Sequence, residues 1–214
     1  MWRIHGKLDG YYFISSHMEL ARTTLEHLYI KEKKPISTIA KLLGCSEHKV
    51  NYWVIRFGIP KRSISESVYL HYNPRGDPFR IREPKTLDEA FLSGLGLGLY
   101  WGEGTKSNKN TVRLGNTDPR LIAKFIEFLT RLFEIDRKKL RFGLQILSDM
   151  APEKALKFWI NELGVSESQF QKVIVTPARG IGTYRHKTKH GVLTIYFCNK
   201  KLRDIICQMI EDMP

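Results

Sequence analysis

The stretch LDEAFLSGLGLGLYWGEG, Leu87 to Gly104, sets Gly94, Gly96 and Gly98 among leucines and ends on Gly102-Glu103-Gly104. Thr86 precedes it, and Glu89 lies three residues on, which is the spacing of a capping box. A helix therefore starts near Leu87. Each glycine inside that helix costs about 1 kcal/mol relative to alanine, so the glycines need an offsetting gain. Gly94, Gly98 and Gly102 are spaced by four and fall on one stripe, where a second backbone can approach closely. Glu103 stands at the carboxyl tip. Other glycine motifs do not fit. A dinucleotide fingerprint is GxGxxG after a strand, not GxGxG within a capped helix. A phosphate loop needs Gly-Lys-Ser/Thr, and here Thr105 separates Gly104 from Lys106. The bland reading is a glycine-packed helix whose Glu103 is incidentally exposed.

Downstream, the pattern alternates between strands and helices. Thr111–Thr117 has strand periodicity, with Val112 and Leu114 inward and Arg113 outward. Asp118-Pro119 opens a helix carrying Leu121, Ile122, Phe125, Leu129 and Leu132. Lys139–Ile146 alternates again, leaving Arg141 and Gln145 outward. A helix over Pro152–Leu163, a local cap or turn at Ser166-x-x-Gln169, strands at Phe170–Val175 and Val192–Cys198, and a helix capped by Asn199 complete the chain. The whole predicts an α+β domain over 86–214, with helices on one face of a mostly antiparallel sheet. Its open face would carry Arg113, Arg141, Gln145 and Lys172. Between the last two strands, TPARGIGTYRHKTKHG offers Arg179, Arg185 and Lys187 as a phosphate-tracking arm; a merely solvated loop would also be polar.

Upstream, helical periodicity begins at Met18 with Leu20, Leu25 and Leu28. A second helix follows Pro35 and stops at Gly44-Cys45, where glycine takes the left-handed conformation. Ser46 caps a third, which runs to Phe57 with Val50, Trp53, Val54 and Phe57 as its core stripe. His48, Lys49, Asn51 and Tyr52 are left outward. Two helices joined by a tight turn, the second showing polar groups, is the helix-turn-helix pattern over 18–62; a plain three-helix packing unit would show the same periodicity. Asn51 is suited to adenine, and His48 or Lys49 to guanine or phosphate. Lys61 and Arg62 would follow the backbone or the minor groove. Residues 63–85, with Pro74, Pro78 and Pro84, read as a stiff, basic linker. Residues 1–17 show no helical period and carry no weight.

Composition bounds the partner. In 214 residues, 35 Lys and Arg against 22 Asp and Glu leave a formal charge of +13, a surface suited to a polyanion. Cys45, Cys198 and Cys207 form no CxxC pair, which favours reduced thiols in a cytoplasmic protein, nucleoid-associated when bound, over a disulfide frame or zinc site. No apolar run is long enough to span a bilayer, and no membrane partner is expected.

Two resemblances sharpen these expectations. ISTIAKLLGCSEHKVNYWVIRFGIPKR resembles the small helix-turn-helix domains of resolvases and invertases. LSGLGLGLYWGEG resembles the LAGLIDADG motif of homing endonucleases, with Gly98 to Gly104 standing in the place of its GLIDADG portion. That resemblance implies a saddle-shaped sheet straddling double-stranded DNA, and paired motif helices whose acidic tips bind Mg²⁺ at the scissile phosphates. It carries the metal role onto Glu103, with Gly102 beside it, and makes Gly94, Gly98 and Gly102 the dimer helix. Only one such helix is present, so a homodimer must supply the second. Lys106 and Lys172 are candidates for stabilising developing charge. The alternative is a non-catalytic DNA-binding regulator that keeps the domain without the chemistry.

Overall fold

A computed structural model describes residues 20–178 and 189–213 in full, and the backbone of two short strands before them. It divides into two compact units, Met1–Asp77 and Pro78–Pro214.

The first unit opens on an antiparallel hairpin of β1 (Ile4–Leu8) and β2 (Tyr11–Ile14), in a stretch without helical period. The available signal was Asp9-Gly10 between two runs, a common hairpin dipeptide. Helix α1 (Arg22–Leu25) runs into a π-helical turn (Glu26–Lys31), followed by α2 (Ile36–Leu42) and α3 (Glu47–Arg56). Leu25, Ile39, Val50 and Val54 are fully buried at the centre of this unit. Both α2 and α3 end in the same way. Gly44 (φ +61°) and Gly58 (φ +65°) take the left-handed conformation. The amides that follow, Cys45 and Ile59, reach back to the carbonyls of Ala40 (3.0 Å) and Val54 (2.9 Å). This closes the orphan carbonyls of each helix end, and Ile59 seals the second with a buried side chain.

The expected linker over 63–85 needs correction. Ser63 accepts from the Glu66 amide at 3.1 Å and starts helix α4 (Ile64–Tyr72), ahead of the first proline. The later part is not a free connector either. Phe79 is buried in the second unit, and the amides of Arg80 and Arg82 donate to the carbonyls of Phe133 and Leu132 at 2.9 and 2.8 Å.

In the second unit the elements run α5 (Leu87–Glu103), β3 (Val112–Asn116), α6 (Pro119–Leu132), β4 (Arg141–Leu147), α7 (Pro152–Leu163), β5 (Ile174–Thr176), β6 (Val192–Phe197) and α8 (Lys200–Glu211). The strands form one mixed sheet in the order β3-β6-β4-β5. The first two pairings are antiparallel and β4–β5 is parallel. An α+β architecture is thus as expected. The fourth strand is shorter than the predicted Phe170–Val175. Phe170 makes only an isolated bridge to Phe142, because the Ser166–Gln169 capping box turns the chain just before it. Gln169 is buried there, and its amide donates to the carbonyls of Arg137 and Leu140 at 2.9 and 3.0 Å.

The core lies between the four helices and one face of the sheet. Leu114, Ile195 and Phe142 face it across β3, β6 and β4, against Tyr100, Phe125, Trp159 and Ile206. Burying such side chains contributes about 1.5–3 kcal/mol each. Period-two alternation then sends the intervening residues to the opposite face.

Candidate nucleic-acid interface

Strand register decides what that opposite face presents. Arg113 pairs with Tyr196, which pairs with Arg141, so the three form one row across the strands. The next row is small: Gly115, Thr194 and Gly143. A third holds Val192, Gln145 and Ile174. Arg141 and Gln145 are exposed, while Arg113 and Tyr196 are half-buried. The outward placement of Arg113, Arg141 and Gln145 therefore follows the alternation in sequence. Tyr196 was missed, since its place in the row depends on register. Its ring occupies the space that a side chain at residue 143 would need: a Cβ on Gly143 would meet the ring's Cε2 and hydroxyl at 3.0 Å.

The two arginines of the row are held differently. The Arg141 guanidinium folds back, its Nη1 donating to the carbonyls of Lys138 (2.8 Å) and Leu140 (3.0 Å). Arg113 lies with its Cζ 5.0 Å from the centre of the Tyr196 ring, a cation–π arrangement.

The glycine helix ends at one edge of this face. Helix α5 is capped by Thr86 as its sequence indicates, the Glu89 amide donating to Thr86 Oγ1 at 3.2 Å, but the Glu89 side chain reaches one residue further back than in a capping box, its Oε2 accepting from the Lys85 amide at 2.8 Å. That bond from the Lys85 amide, the largest cause, holds the Glu89 carboxyl below its ordinary range. At the other end Gly104 forces a sharp exit, because a Cβ there would stand 2.3 Å from the Tyr100 carbonyl oxygen. The chain then lies along β3: Gly104 bridges Leu114, and the Thr105 amide donates to the Arg113 carbonyl at 2.8 Å. Exposed Glu103 thus stands beside the β3 edge of the sheet, next to the strand that carries Arg113.

Gly94, Gly98 and Gly102 are exposed, and a Cβ on any of them would meet open space. Leu87 (90% exposed), Phe91 (70%) and Trp101 (62%) share the exposed side of the helix. Gly96 is different. It is buried, and its Cβ would lie 2.1 Å from Phe128 Cγ, so it is the glycine that lets α6 approach.

Neither candidate lysine stands free beside Glu103. The Lys106 ammonium donates to the Trp101 carbonyl at the end of α5, and its own carbonyl accepts from Arg203 Nη2 at 2.7 Å. A cation in that position closes a helix end and complements its dipole. Lys172 precedes β5 at the far edge of the sheet, three strand spacings or roughly 14 Å from the β3 edge. Among the described residues no three His, Cys, Asp or Glu side chains gather around a metal-sized space.

In the first unit, His48 and Tyr52 are exposed on α3, and Lys49 and Asn51 are half-buried. Ile55 and Arg56 extend the same outward side and were not singled out. Lys61 is exposed. Arg62 has a different role from the expected DNA contact. Its Nη2 donates to the carbonyls of Tyr29 (2.6 Å) and Lys34 (2.7 Å), and its Nη1 to Lys33 (3.1 Å). The guanidinium also sits 3.9 Å from the Tyr29 ring centre. It staples the end of the first helical segment to the exit of α3. Arg179, Arg185 and Lys187 lie outside the described residues.

No helix among the described residues is long and apolar enough to cross a membrane. No protein-family model, curated protein or solved structure matches the chain.

Proposed function

We propose that the chain is a sequence-specific binder of double-stranded DNA that acts as a homodimer through α5 and hydrolyses phosphodiesters with Mg²⁺ at paired Glu103 carboxylates. One observation carries this reading. An exposed acid ends a helix whose outer side sets three glycines among exposed Leu87, Phe91 and Trp101, and it does so beside a sheet face bearing arginines. Two such helices brought together along Gly94, Gly98 and Gly102 would set two Glu103 carboxylates near a two-fold axis. The sheet of each copy would then lie over one half of a pseudo-palindromic duplex. The outward side of α3, with His48, Asn51 and Tyr52, would add a second, helix-turn-helix contact.

Glu103 and the Gly102 carbonyl offer the oxygen ligands that Mg²⁺ prefers, and phosphate and water would complete its shell. Bound there, Mg²⁺ would activate water and stabilise the leaving oxygen. The net charge of +13 favours the polyanionic partner.

A second reading, a DNA-binding regulator without chemistry, is favoured by the lysines: Lys106 is occupied as a helix cap and Lys172 lies across the sheet. One experiment separates them. Duplexes are selected from a randomised library in Ca²⁺, then given Mg²⁺ with wild type or Glu103→Gln. Cleavage by wild type alone supports the nuclease. Sequence-specific binding without cleavage by either protein leaves the regulator, and no sequence-enriched binding sinks both.

A further inference from the structure

The outward arginines differ in what their N–H groups do. Arg62 is spent on three backbone carbonyls, and Arg141 donates to two. Arg113 makes no side-chain hydrogen bond to any described residue, and its guanidinium rests on the Tyr196 ring. A guanidinium on an aromatic face is held through its π surface, which leaves the N–H fork at its rim available. The ring is itself fixed. It sits between Arg113 and Arg141 in the row, over the backbone of Gly143, where even a Cβ would meet its Cε2 and hydroxyl at 3.0 Å. Arg113 also leaves β3 at the residue whose carbonyl binds the Thr105 amide, so its backbone is anchored on both sides, by β6 and by the segment after α5. The neighbouring row of Gly115, Thr194 and Gly143 raises no bulky side chain to block approach.

From this geometry we infer that Arg113 is a guanine reader and Tyr196 its positioning residue. The fork matches O6 and N7 on the major-groove edge of guanine, the commonest specific arginine contact. The inference rests on the duplex-binding reading above and names what one position of the site must be. The same fork also matches a phosphate, and the two ligands make different predictions. A phosphate contact changes affinity for every sequence alike and contributes to the salt slope; a guanine contact changes one base preference.

The test is the same duplex selection, run with wild type, Arg113→Met, Tyr196→Phe and Tyr196→Leu, each first checked by thermal melting. Wild type should enrich a guanine at one fixed position, repeated by symmetry on the other strand. Replacing that guanine with 7-deazaguanine, which lacks N7, should weaken wild-type binding on the order of 10-fold and leave Arg113→Met, which has no donor for N7, unmoved. Tyr196→Phe keeps a π face and should keep the preference. Tyr196→Leu should lose it while retaining salt-dependent binding. An Arg113→Met loss spread equally over all sequences would overturn the guanine assignment and make the contact a phosphate one. So would an enriched site in which no guanine responds to residue 113. Tight specific binding with either result leaves the duplex-binding reading intact. Absence of duplex enrichment, or preference for single strands, overturns both.

Discussion

The two sides of α5 use the same residue type for opposite purposes. On the inner side Gly96 is buried against Phe128, and no side chain fits. On the outer side Gly94, Gly98 and Gly102 adjoin open space, so within one chain their lack of side chains has no packing role. The inner glycine is explained by the fold it belongs to. The outer three keep the cost of glycine in a helix without a return inside the monomer, which is the signature expected of a surface that meets another backbone. Burial, and not spacing alone, separates the glycine that the monomer's packing requires from the three that it does not.

The comparison can be broken first on its inner side. Phe128→Ala should cost about 3–5 kcal/mol in urea unfolding, as the loss of a large buried ring. Gly96→Ala should cost about 1–3 kcal/mol by overpacking. Combined, the two should be strongly non-additive, since removing the ring vacates the space that the new methyl needs. Additive costs would mean that Gly96 does not exist to admit Phe128.

A parallel contrast between Arg62 and Arg113 should give the next largest effect. Arg62→Met leaves three backbone carbonyls without their donor and should destabilise the first unit by about 1–3 kcal/mol. Arg113→Met should leave the melting temperature nearly unchanged and alter only DNA binding. Equal shifts in melting would remove the distinction between a stapling arginine and a reading one.

On the outer side, Gly98→Ala should stabilise the isolated helix by up to about 1 kcal/mol. If α5 pairs with a second α5, the same change should raise the concentration at which sedimentation detects a dimer. Greater thermal stability with unchanged association would show that the bare stripe is not an interface.

The smallest effect is on pH. The Glu127 carboxyl is held low chiefly by its hydrogen bond from Lys124 and then by that from Arg131, and Asp118 is held low by Arg120. Depressed carboxylates contribute stability above their unfolded values and lose it as pH falls through the folded ones. Acid unfolding should therefore begin with the protonation of such groups, and Glu127→Gln should flatten that limb modestly. The exposed setting keeps the effect small.

Much of this was written locally. Val112 and Leu114 are separated by Arg113, and Phe142 and Leu144 are flanked by Arg141 and Gln145, because each strand buries one face, and Thr86, Asp118 and Asn199 announce helix starts by side chains that bind the next turn. Gly44 marks its helix end because glycine takes the left-handed conformation without strain. Features made by distant partners were not legible. Nothing around Arg62 says that its acceptors lie at Tyr29, Lys33 and Lys34. Tyr196 becomes part of a row only when register sets it between Arg113 and Arg141. The Ser63-x-x-Glu66 start of α4 was present in the sequence, but the prolines at 74, 78 and 84 outweighed it, although they lie beyond the helix. Lys106 shows the limit for the site: its position beside an acidic motif suggested chemistry, and its ammonium instead closes the helix.

The order β3-β6-β4-β5 has a consequence for how the protein is made. The strand at the middle of the sheet, Val192–Phe197, is the last to be synthesised. Until it arrives, β3 and β4 have no common neighbour, and the row of Arg113, Tyr196 and Arg141 does not exist. A nascent chain therefore carries β3 and β4 without their shared partner from the completion of β4 at Leu147 until Val192, and this long-range pairing slows folding and exposes edges to aggregation. Chains truncated before residue 192 should leave β3 unjoined to the β4–β5 pair, and such a stop should be far more damaging than its distance from Glu103 along the sequence suggests.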